Sequence, residues 1–244
     1  MNDQVPAPRV SVVVPVKNEA LNVLPLVEEI ERACAPLSPF ELIYVDDGST
    51  DATVAEIQKA RETRPWLRVI GHQTSCGQSA AVRTGALAAH GSIIVTLDGD
   101  GQNDPAFIPA LVAALDDPRM ALAAGQRVGR KDGLYKKWQS RIANGVRGRI
   151  LKDGTRDTGC GLKAFRRDVY LALPYFDALH RFMPALVKRE GFEIAHVDVV
   201  DRPRHAGQSN YGLFDRLWVG ILDLAGVWWL IRRRRRVPVI REIA

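Results

Sequence analysis

The sequence predicts an α/β fold: a mainly parallel, Rossmann-like sheet flanked by helices, with an apolar, amphipathic helix near the C-terminus. Three observations predict it. Between residue 9 and about residue 126, short runs of β-branched and aliphatic residues alternate with segments of helical apolar spacing. Those runs are continuously apolar, as strands buried on both faces are. Polar residues, several of them carboxylates, stand just after the runs, where open α/β sheets bind their ligands.

The elements follow in order. Arg9–Pro15 reads as the first strand and Asn22–Ala35 as the first helix. Phe40–Val45 is a second strand closed by Asp46-Asp47-Gly48-Ser49. Thr50–Arg64 is a helix for which Ser49, Thr50 or Asp51 offers an N-cap. Leu67–Gly71 is a strand, Gln78–His90 a helix, Ser92–Leu97 a strand, Pro105–Leu115 a helix and Met120–Ala124 a fifth strand. The second half is less regular. A helix is expected over Tyr135–Leu151, a turn and short strand over Asp157–Arg167, and largely helical structure over Tyr170–Gly191. A strand over Phe192–Val200 leads into a polar loop, Arg202–Tyr211. Leu217–Ile231 is strongly apolar with one acid, Asp223, and as a helix would extend ~22 Å, short of the ~30 Å hydrocarbon core of a bilayer. The expected partition is one domain over residues 1–211, then an apolar Trp-rich helix and Arg-rich tail over 212–244.

The net charge of +6 first suggests nucleic acid, but five of those charges belong to the run Arg232–Arg236. What remains is nearly neutral, so no nucleic-acid partner is expected. Cys34, Cys76 and Cys160 are odd in number and widely spaced, which fits reduced thiols in neither a disulfide framework nor a zinc site. Met1–Pro8 is polar and lacks the apolar core of a secretory signal. His180 and His205 lack ligand spacing to any Cys or second His and read as packing or loop histidines.

The strand ends carry the chemistry. After the fourth strand comes Asp98-Gly99-Asp100-Gly101-Gln102-Asn103-Asp104-Pro105. Two carboxylates delivered by one strand suit a hard divalent cation, Mg²⁺ or Mn²⁺, which keeps positions open for phosphate oxygens and water. Lys17, Asn18 and Glu19 follow the first strand, and Asp46 and Asp47 the second. So many polar groups on one rim exceed what turn chemistry requires.

With those residues in place, the chain resembles a family 2 glycosyltransferase of the GT-A fold, in the polyprenyl-phosphate branch similar to dolichol-phosphate-mannose synthase. The resemblance rests on Val12-Val-Val-Pro-Val-Lys-Asn-Glu19, Val45-Asp-Asp-Gly-Ser-Thr-Asp51 and Asp98–Pro105. Asp157-Thr-Gly-Cys-Gly-Leu-Lys163 and Arg204-His-Ala-Gly-Gln-Ser-Asn-Tyr211 complete it. It implies that Pro15, Lys17, Glu19, Asp46, Asp47, Gly77, Arg83 and Asp98 surround the nucleotide sugar, with one carboxylate of Asp46-Asp47 on the base. It places Asp98, Asp100 and Gln102 at the metal, and Arg127 and Arg130 near the diphosphate or acceptor phosphate. Lys163, Arg204 and Ser209 would hold the acceptor phosphate. Asn210 departs from the lysine that many relatives carry after that serine.

The acceptor decides the mechanism. Relatives that glycosylate a sugar hydroxyl carry an acid pair ahead of the acceptor helix, and Thr158–Lys163 has none. A hydroxyl needs a positioned base, whereas a phosphate monoester is already anionic. Asp157, the one carboxylate left nearby, takes a catalytic or acceptor-positioning role. The expectation is an inverting, metal-dependent transfer from a UDP- or GDP-sugar to a polyprenyl phosphate. One alternative is a saccharide or lipid hydroxyl acceptor with Asp157 as base; another is a non-catalytic nucleotide-sugar-binding membrane scaffold. Tryptophans followed by five arginines fit an interfacial helix on an anionic membrane. The expected place is therefore cytoplasmic, peripheral at the inner face of the plasma membrane. A helix packed on the domain, or in a homo-oligomer interface, is the competing reading of that tail.

Overall fold

The computed structural model describes residues 7–128, 145, 147–202 and 213–233. The strands are β1 (Val10–Val16), β2 (Phe40–Asp46), β3 (Leu67–Gly71), β4 (Ile93–Thr96), β5 (Met120–Arg127), β6 (Lys163–Arg166) and β7 (Glu193–Val199). The helices are α1 (Ala20–Cys34), α2 (Thr53–Arg61), α3 (Gln78–Ala88), α4 (Ile108–Ala113), α5 (Arg167–Ala172), α6 (Leu179–Arg189) and α7 (Leu213–Arg232). Residues 147–151 are helical as well; the rest of the helix expected over 135–151 lies outside the described residues.

The strands form one sheet in the order β3-β2-β1-β4-β6-β5-β7. β1, β2, β3 and β4 pair in parallel, as do β5 and β7. β6 enters between β4 and β5 and runs antiparallel to both, so the fourth and fifth strands are not neighbours. The continuous apolar runs have the expected cause. Val12, Val14, Leu42 and Tyr44 point into the core under α1 and α4, while Val13, Ile43 and Val45 point into the core under α3 and α6. Gly85 lets α3 lie close on β1, since a Cβ there would stand 2.3 Å from Val13 Cγ1.

Two helix expectations change. The helical stretch after residue 167 is broken: Leu173 is extended ahead of Pro174, which disfavours helix at its predecessor, and Ala178 turns left-handed (φ 65°) to start α6. α7 is longer than expected, with 20 residues. Its Leu224, Val227, Leu230 and Ile231 pack into the α3/α6 core, and Arg189 donates to the carbonyls of Leu230 and Arg233. Ile221, Leu222, Trp228 and Trp229 on the same helix stay exposed. Among the described residues no helix is long and apolar enough to cross a membrane.

Candidate functional site

The parallel pairing of β1, β2 and β4 carries Pro15, Asp46 and Asp98 to one rim of the sheet. Asp46 ends β2 in register with Val16 and Gly71, and among the described residues its buried carboxylate accepts only the Ser49 N–H, at 3.2 and 3.3 Å. Asp47, one residue on, does different work. It accepts from His72 Nδ1 (2.7 Å), Ser75 Oγ (2.7 Å), and the Cys76 and Gly77 N–H groups (2.8 and 2.9 Å). Burial would raise its pKa, but those four hydrogen bonds hold it below the usual carboxylate range. Asp47 therefore ties down the β3–α3 loop, with Gly77 at φ 88° starting α3. Asp47, His72 and Cys76 bring potential ligand atoms within 4.8 Å of one another, but the Asp47 oxygens are engaged with the loop.

The β1 end is braced the same way. Asn18 sits at φ 58°, accepts from the Thr50 N–H (2.8 Å) and donates its own N–H to Ser49 Oγ. The Glu19 N–H donates to Thr53 Oγ1, and its carboxylate accepts from Asn22. Lys17 is exposed at this edge.

Asp98 occupies the centre. Its Oδ1 accepts from Gln78 Nε2 at 2.7 Å, and its N–H donates to Asn103. Its other oxygen lies over Gly161, where a Cβ would come within 2.4 Å of Oδ2. Burial and then the neighbouring Asp100 push the Asp98 carboxyl up to about 6, against the pull of Lys163 and Arg127. Asp100 is buried and accepts from the Gln102 N–H. Two neighbouring carboxylates, one raised by burial and then by the other, form a hard oxygen donor set that a divalent cation would relieve.

Across the rim, Arg127 at the end of β5 grips Asp157 at two points, Nε to Oδ2 (2.5 Å) and Nη2 to Oδ1 (2.9 Å), and reaches Asp201 at 3.2 Å. Burial opposes the charge of Arg127, but Asp157 and Asp201 hold it firmly protonated. Lys163 begins β6 with a buried ammonium donating to the carbonyls of Cys160 and Thr158; burial draws its pKa down. Arg83 on α3 stacks over Tyr175 (4.9 Å), and one buried guanidinium nitrogen has no hydrogen-bond partner among the described residues. Arg130, Arg204, Ser209 and Asn210 lie outside the described residues.

A cavity of about 280 Å³ joins these groups, lined by Pro15, Gln78, Asp98, Arg127, Asp157, Lys163, His180 and Arg181 among others. The structure thus brings Pro15, Asp98, Arg127, Asp157 and Lys163 to one cavity, while Lys17, Glu19, Asp46 and Asp47 stand at the neighbouring strand ends. Sequence reasoning missed the Asp201 partner of Arg127 and the room that Gly161 leaves for Asp98. It also read His180 as a packing residue, yet the ring lines the cavity and bonds Ser79 Oγ through Nδ1 (2.8 Å). No spacing could have found these, because each contact joins residues far apart in the chain.

Residues 11–173 match the model of glycosyl transferase family 2. Among curated proteins, a dodecaprenyl-phosphate galacturonate synthase of Rhizobium johnstonii is 39% identical over 96% of this chain and 71% of its own length. An undecaprenyl-phosphate 4-deoxy-4-formamido-L-arabinose transferase of Yersinia enterocolitica is 33% identical over 84% of this chain; that match spans 63% of the relative, less than two thirds. Among solved structures, glucosyl-3-phosphoglycerate synthase of Mycobacterium tuberculosis, in complex with Mn²⁺, UDP and its product, superposes with a TM-score of 0.70 at 20% identity, covering 93% of this chain and 80% of that one. A mannosyltransferase of Pyrobaculum calidifontis with GDP-mannose and Mn²⁺ gives 0.68 at 22% identity, covering 95% and 66%. At such identities the structures speak for a shared GT-A fold, and the sequence matches speak for the family. The chain is a glycosyltransferase and belongs to glycosyl transferase family 2.

Proposed function

We propose that this glycosyltransferase moves a sugar from a uridine- or guanosine-diphosphate sugar to a polyprenyl phosphate, with inversion at the anomeric carbon. The Arg127–Asp157 pair carries the acceptor assignment. A carboxylate gripped at two points by a guanidinium has its lone pairs engaged, so it makes a poor general base. A sugar or lipid hydroxyl would need such a base; a phosphate monoester supplies its own negative oxygen. The names of the two curated relatives, both polyprenyl-phosphate enzymes, support the same reading.

Asp98 and Asp100, with Gln102, would hold Mg²⁺ or Mn²⁺. When bound, the ion supplies Lewis-acid stabilisation of the departing nucleotide diphosphate. Asp46, with only Ser49 on its carboxylate among the described residues, is the better partner for a base N–H, while Asp47 keeps the loop carrying Gly77 in place. Pro15, Lys17 and Glu19 bound the nucleotide, and Arg83 on α3 adds a cation to that side. Lys163, together with Arg204 and Ser209, serves the acceptor phosphate, and Arg130 adds positive potential there, while Arg127, committed to Asp157 and Asp201, holds the wall of the cavity in place. Residues 1–211 form the catalytic unit. The 212–244 tail rests on an anionic bilayer surface at the cytoplasmic face through Trp228, Trp229 and the arginines that follow.

The test is a panel of nucleotide sugars with Mn²⁺ or Mg²⁺ and either a polyprenyl phosphate or the matching polyprenol, read by mass spectrometry of the lipid. A glycosyl phosphate lipid is expected. Transfer to the alcohol and never to the phosphate would overturn the acceptor assignment in favour of a hydroxyl acceptor.

A further inference from the structure

The cavity beyond Asp98 is lined by Asp98 and Asp157 together with Arg127 and Lys163. The first turn of α6 adds His180, Arg181 and Met183. Ser79 is buried, and its hydroxyl oxygen accepts the His180 N–H at 3.5 Å. With that hydroxyl assigned as the donor to His180 Nδ1, 2.8 Å away, the neutral imidazole carries its hydrogen on Nε2. Nε2 has no partner among the described residues. Burial, followed by the fields of Lys163 and Arg181, pushes the His180 pKa down to about 3, so the ring is a neutral donor. Arg181 makes no hydrogen bond or close ion pair among the described residues, and Asp223 of α7 lies in its field. The positive end of the α6 dipole lies in the same turn.

The first turn of α6 therefore offers the cavity two donors, the neutral His180 ring and the Arg181 guanidinium. A carboxylate only accepts, and a guanidinium beside a neutral N–H donor suits it. Covalent connectivity says which part of the substrates reaches this space. The donor's anomeric carbon is one oxygen away from the diphosphate held at Asp98 and Asp100, and a cavity of about 280 Å³ has room for one sugar unit next to Asp98 but not for a whole nucleotide sugar.

We infer that the donor is a nucleotide-linked uronic acid, whose sugar carboxylate is received by Arg181 and His180 on the first turn of α6. This rests on the nucleotide-sugar reading of the site proposed above. His180 and Arg181 act as specificity residues: they touch the sugar away from the bond that breaks.

The experiment compares nucleotide uronic acids with their neutral parent hexoses, each linked to uridine and to guanosine diphosphate. Affinity is measured by calorimetry with Mn²⁺, and transfer to polyprenyl phosphate by mass detection, for the wild type and for Arg181→Gln and His180→Phe. The uronic donor should bind about tenfold or more tightly than its parent, the difference one charge-assisted hydrogen bond makes. Arg181→Gln should erase that preference while leaving the KM for polyprenyl phosphate unchanged, with thermal melting showing an intact fold. Equal or better binding of the neutral hexose overturns the inference and leaves the polyprenyl-phosphate reading standing. A rise in acceptor KM with no change in donor preference also overturns it, by assigning the seat to the acceptor phosphate. Preferential uronate binding without any lipid product supports the inference and overturns the acceptor reading instead.

Discussion

Arg127 and Asp157 meet in a two-point ion pair on the wall of the cavity, 2.5 and 2.9 Å between donor and acceptor atoms. As a pair they hold each other. Asp157→Asn should lower stability by about 1–3 kcal/mol, because Arg127 loses most of its charge partner in a half-buried site. It should leave the acid limb of the pH–rate profile in place. Loss of that limb in steady-state kinetics would mark Asp157 as the base and restore the hydroxyl-acceptor alternative.

Asp46 and Asp47 are adjacent in sequence but predicted to separate in their effects. Asp47→Asn cannot accept all four hydrogen bonds it now receives and should cost about 1–3 kcal/mol in a thermal or urea melt. Asp46→Asn should leave stability nearly unchanged and weaken nucleotide binding at least tenfold by calorimetry. Equal stability losses in both variants would contradict this division.

Gly161→Ala places a methyl group 2.4 Å from Asp98 Oδ2, and the carboxylate must move. Transfer should fall more than tenfold with a small change in melting temperature, since the neighbour that yields is a side-chain end. Asp100→Asn should abolish turnover and also the rise in melting temperature that added Mn²⁺ produces. Chelation with EDTA should mimic it reversibly in the wild type.

His180 carries a pH signature. Its folded pKa, near 3, lies below the ordinary histidine value of 6.5. The unfolded chain therefore binds a proton that the folded chain does not between those values, and stability must fall as pH drops from about 6.5 towards 3. His180→Phe should flatten that part of the stability–pH curve in denaturant titrations. An unchanged slope would show that the ring protonates in the folded state.

On α7, the guanidinium of Arg232 lies 3.8 Å from the Trp228 ring centroid and that of Arg233 5.4 Å from Trp229. Replacing Arg232–Arg236 by serine should weaken co-sedimentation with anionic vesicles several-fold or more, at roughly 1 kcal/mol per arginine near the surface. It should have little effect on neutral vesicles. No change would favour a tail that serves only to pack against α6.

The sheet was legible because its cause is local. Val12–Val16, Leu42–Val45 and Ile93–Leu97 are apolar on both faces, and a strand with that pattern must be covered on both sides. The breaks were less legible. Pro174 marks the end of a helix only once Leu173 is seen extended, and β6 takes its place between β4 and β5 through hydrogen bonds that no periodicity encodes. The rim acids were visible as residues but not in their roles. Asp46 and Asp47 look alike in sequence; the folding of His72, Ser75, Cys76 and Gly77 back onto one of them makes the difference.

By itself, then, the sequence determined the α/β class, the strand ends that carry Pro15, Asp46 and Asp98, and the family, since these follow from apolar periodicity and short motifs. Only the tertiary structure decided which charges neutralise one another and which remain for a substrate. Arg127 is committed to Asp157 and Asp201, whereas Arg181 makes no hydrogen bond or close ion pair among the described residues. The reason is physical: ionic pairing depends on distances of a few ångströms between residues 30 to 74 positions apart in the chain, and only the folded sheet sets those distances.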